Sequence, residues 1–127
     1  MAKSAFNYQD PEEARDPTTI AQIYEWARKI PVGRVLSYGA LGALCSPPIS
    51  GYICGRIMNR AMADVPWWRV VGKEGNMPIS KRNPHLGVEQ RERLEEEDVD
   101  FEDNCVIMER FTWTPDDDTP QDAALFE

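Results

Sequence analysis

The stretch Ser37 to Arg60, SYGALGALCSPPISGYICGRIMNR, decides how this chain folds. Ser37 stands where a hydroxyl can cap the first turn of a short helix running through Leu41 and Leu44, and Ser46-Pro47-Pro48 breaks that helix. Ser50 can cap a second helix, from Gly51 to about Ala63. Its apolar positions Ile53, Ile57 and Met58 share one face, leaving Tyr52, Arg56, Asn59 and Arg60 for the others. Two short helices joined by a brief turn, the second rich in arginine, form a helix-turn-helix pattern. Ordinary small helical domains share that pattern, so its specificity has to come from the flanking sequence.

Upstream, Ile20, Ile23, Tyr24, Ala27 and Ile30 recur at helical spacing. They predict an amphipathic helix over 19–29, entered through Pro17-Thr18-Thr19 with a threonine cap and stopped by Pro31. A turn of helix fits Pro11 to Arg15. Downstream, VPWWRVV (65–71) is too apolar for a plain loop, Gly72 to Asn76 is a turn, and Met77-Pro78-Ile79 reads as extended. Residues 87–97 read as a helix with Val88, Leu94 and the Arg91 methylenes on its packed side. Val106 to Met108 and Phe111 to Trp113 read as short extended segments. The expected fold is mainly α, a winged helix-turn-helix DNA-binding domain with short β segments. It comprises an N-terminal extension (1–19), the domain (20–114) and an acidic tail (115–127) expected to be disordered.

With 127 residues, 42% apolar and 28% charged, the chain is long enough to bury one core. Three cysteines, Cys45, Cys54 and Cys105, with no CxxC pair, and a single histidine, His85, support neither a disulfide framework nor a zinc site. No metal or cofactor is expected. The N-terminus lacks the apolar region of a signal peptide, and no run approaches the roughly 18 apolar residues of a membrane span, so a cytoplasmic protein is expected. The net charge of −8 conceals a strong polarity. Residues 20–94 hold eleven Lys and Arg against five acids, whereas residues 95–127 hold Arg110 against thirteen. A basic body of this kind can meet a polyanion although the whole chain is acidic.

IPVGRVLSYGAL (30–41), GYICGRIMNR (51–60), PWWRVV (66–71) and the helix EQRERLEEE (89–97) occur in an order and spacing that resemble the DNA-binding domain of O6-alkylguanine-DNA alkyltransferases. The resemblance spans about residues 20–113. The family carries Pro-Cys-His-Arg-Val at the third motif, where a cysteine thiolate attacks the alkyl carbon and the histidine helps to deprotonate it. Here Trp67 stands in the place of the nucleophile and Trp68 in that of its base. An indole is a donor without a usable lone pair, so it can neither attack an alkyl group nor relay a proton. The chain therefore resembles the alkyltransferase-like proteins, the relatives that have lost the cysteine and are not enzymes. RFTWTP (110–115) is similar to the Trp-Gln-Pro ending of some of them.

The resemblance implies a monomer that binds O6-alkylguanine in duplex DNA through the minor groove. It would flip the nucleotide into an aromatic pocket and hand the lesion to nucleotide excision repair proteins. It further implies a lesion pocket of Trp67, Tyr38, Val70, Ser80, Lys81 and Arg82, in which Tyr38 pushes the 3′ phosphate as the base rotates out and Lys81 and Arg82 reach phosphate. Ser37, Tyr38, Gly51, Tyr52, Arg56 and Arg60 would contact DNA. Trp68, Arg69 and, loosely, Asn59 would support the site. Tyr52 falls where the family places an arginine finger; its ring can wedge between bases but lacks the charge and donors for the orphaned cytosine. From the residues alone a tryptophan pair is better explained as core, and a sequence-specific regulator using the same helix pair in the major groove is the alternative.

Overall fold

The computed structural model describes residues 11–60 and 64–115. The acidic tail apart from Pro115, the first ten residues, and 61–63 at the expected end of the second helix lie outside the described residues. A 3-10 turn, Glu12–Arg15, leads into α1 (Pro17–Lys29). The cap is Asp16 rather than a threonine: its carboxylate accepts from the Thr18 N–H at 3.0 Å and from the Thr19 hydroxyl at 3.2 Å. Proline at the first helical position, where no N–H is needed, fixes the start two residues earlier than expected. Ala14, in the segment read as an extension, is fully buried in the core.

β1 (Leu36–Ser37) runs directly into α2 (Tyr38–Ala43), and the Ser37 hydroxyl accepts from the Ala40 N–H at 3.1 Å. Ser50 repeats the device for α3 (Gly51–Met58), accepting from the Ile53 N–H at 3.2 Å. Both serine caps thus sit where the sequence places them, although α3 ends at Met58, short of the expected span. Between the helices the chain turns back so tightly that a Cβ on Gly42 would run into the Ile49 carbonyl. Gln22 of α1 holds the turn from outside, accepting from the Ser46 N–H at 2.8 Å and donating to its carbonyl at 3.1 Å.

After a 3-10 turn at Trp67–Arg69, β2 (Val70–Val71) pairs in parallel with β1, Leu36 opposite Val70 and Ser37 opposite Val71. Neighbouring residues on a strand face opposite ways. Leu36 and Val70 accordingly enter a first core with Ile23, Leu41, Ile57 and Trp113, while Val35 and Val71 enter a second with Leu94, Val99, Val106 and Phe111. Beyond the turn, Met77-Pro78-Ile79 is not extended: Pro78 is helical in φ and ψ and opens the short α4 (Ile79–Arg82). α5 (Pro84–Glu96) starts three residues before the expected Gly87, because the Asn83 side chain accepts from the His85 and Leu86 N–H groups. Leu94 is buried as expected, but Val88 is 58% exposed, so the packed face was misassigned there.

β3 (Phe101–Glu102) and β4 (Cys105–Val106) form an antiparallel hairpin. Its two turn residues, Asp103 and Asn104, both have positive φ, as a tight hairpin with the natural strand twist requires. Met108 belongs to α6 (Met108–Phe111), not to a strand. Thr112 then makes a parallel bridge to Val35, closing the end of the domain against its first strand.

Gly75 has φ +87°, and a Cβ there would run into the Val106 backbone. Gly75→Ala should destabilise the chain by about 2 to 4 kcal/mol in urea unfolding. Gly39, with open space around its Cβ position, should tolerate alanine to within about 1 kcal/mol, on the stabilising side.

Candidate nucleic-acid interface

At the start of α2 the Tyr38 ring faces Gly55 of α3: a Cβ there would sit 3.9 Å from the ring Cδ1, in ordinary van der Waals contact. Burial, with the neighbouring Cys54 thiol adding to it, pushes the Tyr38 phenol up to about 12, so it stays a neutral donor at physiological pH. Ser37 is committed to the helix cap. Gly51 makes the closest crossing of the pair, since a Cβ there would lie 3.0 Å from the Gly39 nitrogen. One residue on, Tyr52 projects into solvent at 65% exposure. Arg56 follows one turn later on the same side of α3, half-buried. Arg60 donates to the Ala14 carbonyl at 2.6 Å and to the Arg56 carbonyl at 3.2 Å. It staples the N-terminal turn to α3, so phosphate contact does not follow from its placement. Asn59 is an exposed residue at the end of α3.

Trp67 and Trp68 stand edge to face, ring centroids 6.1 Å apart and planes at 88°. They serve different cores: Trp67 packs on the rim of the first, as Tyr38 does, and Trp68 on that of the second. Glu97, which sequence reasoning missed, explains how the second ring is held. Its carboxylate accepts from the Trp68 indole N–H at 2.8 Å, from Arg69 Nη2 at 2.8 Å and Nε at 3.1 Å, and from the Gly33 N–H at 3.0 Å. Arg69 also donates to the Ile30 carbonyl at 2.9 Å, tying the turn to the end of α1. Arg93 stacks over the Trp68 ring, 4.5 Å from its centre. A second missed residue, Gln90, is buried and donates to the Trp68 and Val70 carbonyls at 3.2 and 3.0 Å. Val70, expected in the lesion pocket, is fully buried in the first core.

Ser80, Lys81 and Arg82 form exposed α4, and Ser80 donates to the Met77 carbonyl at 2.9 Å. Ser80 and Lys81 line a groove of about 640 Å³ with Met77, Pro78, Val88 and Arg91; neither Trp67 nor Tyr38 borders it. The structure thus brings Tyr38 and Trp67 to one core and places α4 on a groove of its own. Cys45 and Cys54 are buried, which pushes both thiols up and away from the reactive thiolate. Among the described residues no group of His, Cys, Asp or Glu could hold a metal ion, and no helix is long and apolar enough to cross a membrane.

Residues 19–99 match the DNA-binding domain of 6-O-methylguanine DNA methyltransferase. The chain is 34% identical over 83 residues to alkyltransferase-like protein 1 of Schizosaccharomyces pombe, a match covering 63% of this chain and 75% of that one. The chain belongs to the alkyltransferase-like family. A DNA base-flipping protein of Vibrio parahaemolyticus is 24% identical over 103 residues, covering 76% of this chain and 96% of the relative. Among solved structures, S. pombe Atl1 in complex with damaged DNA containing O6-carboxymethylguanine superposes with a TM-score of 0.66. It is 28% identical and covers 76% of this chain and 95% of its own. A second complex of the S. pombe protein with DNA gives 0.62 at 27% identity, with 76% and 94% coverage. Family membership accounts for the helix pair and for the mainly helical fold, and makes this a DNA-binding, damage-recognition class of protein.

Burial alone would raise the Glu97 carboxyl, but the hydrogen bonds from Arg69, Gly33 and Trp68 outweigh it and leave it below the ordinary carboxylate range. A depressed folded-state value means that the stabilisation is complete above the unfolded pKa and is lost as pH falls through the folded one. Glu97→Gln should cost about 2 to 3 kcal/mol near pH 7, and its deficit against the parent should shrink below about pH 4. Urea unfolding at a series of pH values, followed by tryptophan fluorescence, measures both.

Proposed function

We propose that this protein recognises O6-alkylguanine in duplex DNA without repairing it. What supports the reading most is the tryptophan pair: by the resemblance of PWWRVV to the alkyltransferase motif, Trp67 and Trp68 stand where the nucleophile and its base would be, on a fold like that of a protein crystallised on O6-carboxymethylguanine DNA. An indole has no lone pair for alkyl transfer, and the thiols nearest the DNA-binding helices are buried. What remains is binding.

In this reading the helix pair approaches the minor groove with Tyr52 at its exposed tip. Taking a base out of the stack costs a few kcal/mol, least where pairing is already damaged, which favours the alkylated guanine. Tyr38, a neutral phenol at the start of α2, presses on the phosphate 3′ of the rotating nucleotide. The partly exposed Trp67 face packs on the extruded base and its alkyl group. Lys81 and Arg82, exposed on α4, meet phosphate, while Trp68 and Arg69 hold the turn on which Trp67 sits. Tyr52 fills the vacated stack by its ring rather than by charge. The protein works as a monomer in the cytoplasm and passes the marked lesion to nucleotide excision repair proteins.

The test is a titration at fixed salt of a duplex with a single O6-methylguanine against the same duplex with guanine. The lesion duplex should bind more tightly by about tenfold or more, with Trp67→Ala and Tyr38→Ala each removing most of that preference. Tyr52→Ala should cost about 1 to 3 kcal/mol of affinity, and exchanging the base opposite the lesion should matter little, because stacking tolerates any base. Equal affinity for both duplexes would overturn the reading and favour a regulator that reads undamaged sequence.

A further inference from the structure

Three hollows ring the β3–β4 hairpin and run into one another. The groove of about 640 Å³ between α4, α5 and the hairpin shares Cys105 with a second hollow, of about 340 Å³, beside Lys73 and Glu74. It shares Arg91 and Glu95 with a third, of about 700 Å³, beneath Phe101 and Ile107. The floor of the first is apolar, formed by Met77, Pro78, Pro84 and the exposed Val88. Its surroundings are acidic. Two of the bordering cations are already paired, Arg91 with Glu95 at 3.0 Å and Arg110 with Asp100 at 3.1 Å. That leaves Lys73 and Lys81 against Glu74, Glu92, Asp98, Glu102, Asp103 and Glu109.

We propose that this ring is a docking surface for a basic, apolar peptide segment of a partner protein, seated with an aliphatic or aromatic side chain over Val88 and Met77 and with lysines or arginines against Glu92 and Glu102. Charge decides the occupant. Duplex DNA is repelled by the carboxylates. The chain's own residues 116–127 carry five acids and no base, so they are repelled as well. An apolar floor with opposite charge at the rim is the usual arrangement for capturing a short segment, the apolar contact supplying affinity and the rim supplying register and rate. The surface is built from elements other than α2 and α3 and shares only Lys81 with the phosphate contacts of the lesion reading, so the peptide test stands whether or not that reading does.

Cys105 allows a direct test, because it is partly exposed at the junction of two of the hollows while Cys45 and Cys54 are buried. The full chain would be titrated with a fluorescein-labelled peptide of lysine and leucine, and with a glutamate and leucine peptide of equal length. Maleimide modification of Cys105 would be timed in parallel. The lysine peptide should bind, slow that modification by about fivefold or more, and release as salt is raised above about 0.3 M. Val88→Glu and the pair Glu92→Lys with Glu102→Lys should each weaken it by about tenfold while unfolding at the parent's urea midpoint. Binding that leaves Cys105 as reactive as before, or that the variants do not weaken, overturns the proposal. So does protection of Cys105 by duplex DNA, by the glutamate peptide, or by raising the concentration of the protein alone, which would mark a second copy as the occupant.

Discussion

One carboxylate holds the domain's parts in register. Glu97 ends the last turn of α5, yet its two oxygens reach the Trp68 indole, the Arg69 guanidinium and the Gly33 backbone, and Arg69 carries the connection on to Ile30 at the end of α1. Helix, tryptophan turn and the loop before β1 are therefore fixed by a single charged centre. With both partners about 12 to 13% exposed, neither charge has enough water to stand alone. The parallel ladder between β1 and β2 is only two residues long. Its length alone would not set the register of the two cores; the Glu97 centre and the Thr112 bridge to Val35 hold the chain just before the paired residues.

Most of the helix-turn-helix was legible because its signals are local. Ser37 and Ser50 announce helix starts through hydroxyls that can only reach the next turn, and the Ile53, Ile57, Met58 stripe gives the packed face directly. Misreadings arose where a local signal was ambiguous. Pro78 serves as well before a helix as within an extended segment, and the structure takes the helical choice. Val88 satisfies the apolar period of α5, but α4 and the hairpin leave a groove at that point rather than a floor. Asp16 and Asn83 displaced the expected helix starts because a short acceptor side chain before a proline caps as well as a hydroxyl does.

The site was legible to a different degree. Its deviation from the alkyltransferase motif lies in the linear sequence, so Trp67 and Trp68 could be read at once, whereas their packing against two different cores could not. Glu97 could not be found that way. It lies in a run of four acids, Glu95 to Asp98, any of which looks like a solvated helix end, and only three-dimensional proximity across 64 residues to Gly33 singles it out. Gln90 carried a faint signal as a polar residue on the helix face that also holds Leu94; the carbonyls it satisfies belong to a turn 20 residues away.

The bond between the Trp68 indole and Glu97 also bears on descent. A cysteine at position 67 would sit beside a ring whose one polar hydrogen is already given to a carboxylate, so the neighbouring side chain could not help to deprotonate it. Restoring a histidine at 68 alone would supply an acceptor with nothing to activate. The histidine change also removes the aromatic face on which Arg93 rests. A thiol with a base beside it at this turn therefore takes both changes together, and the second also gives up the indole's bond to Glu97 that holds the turn in place.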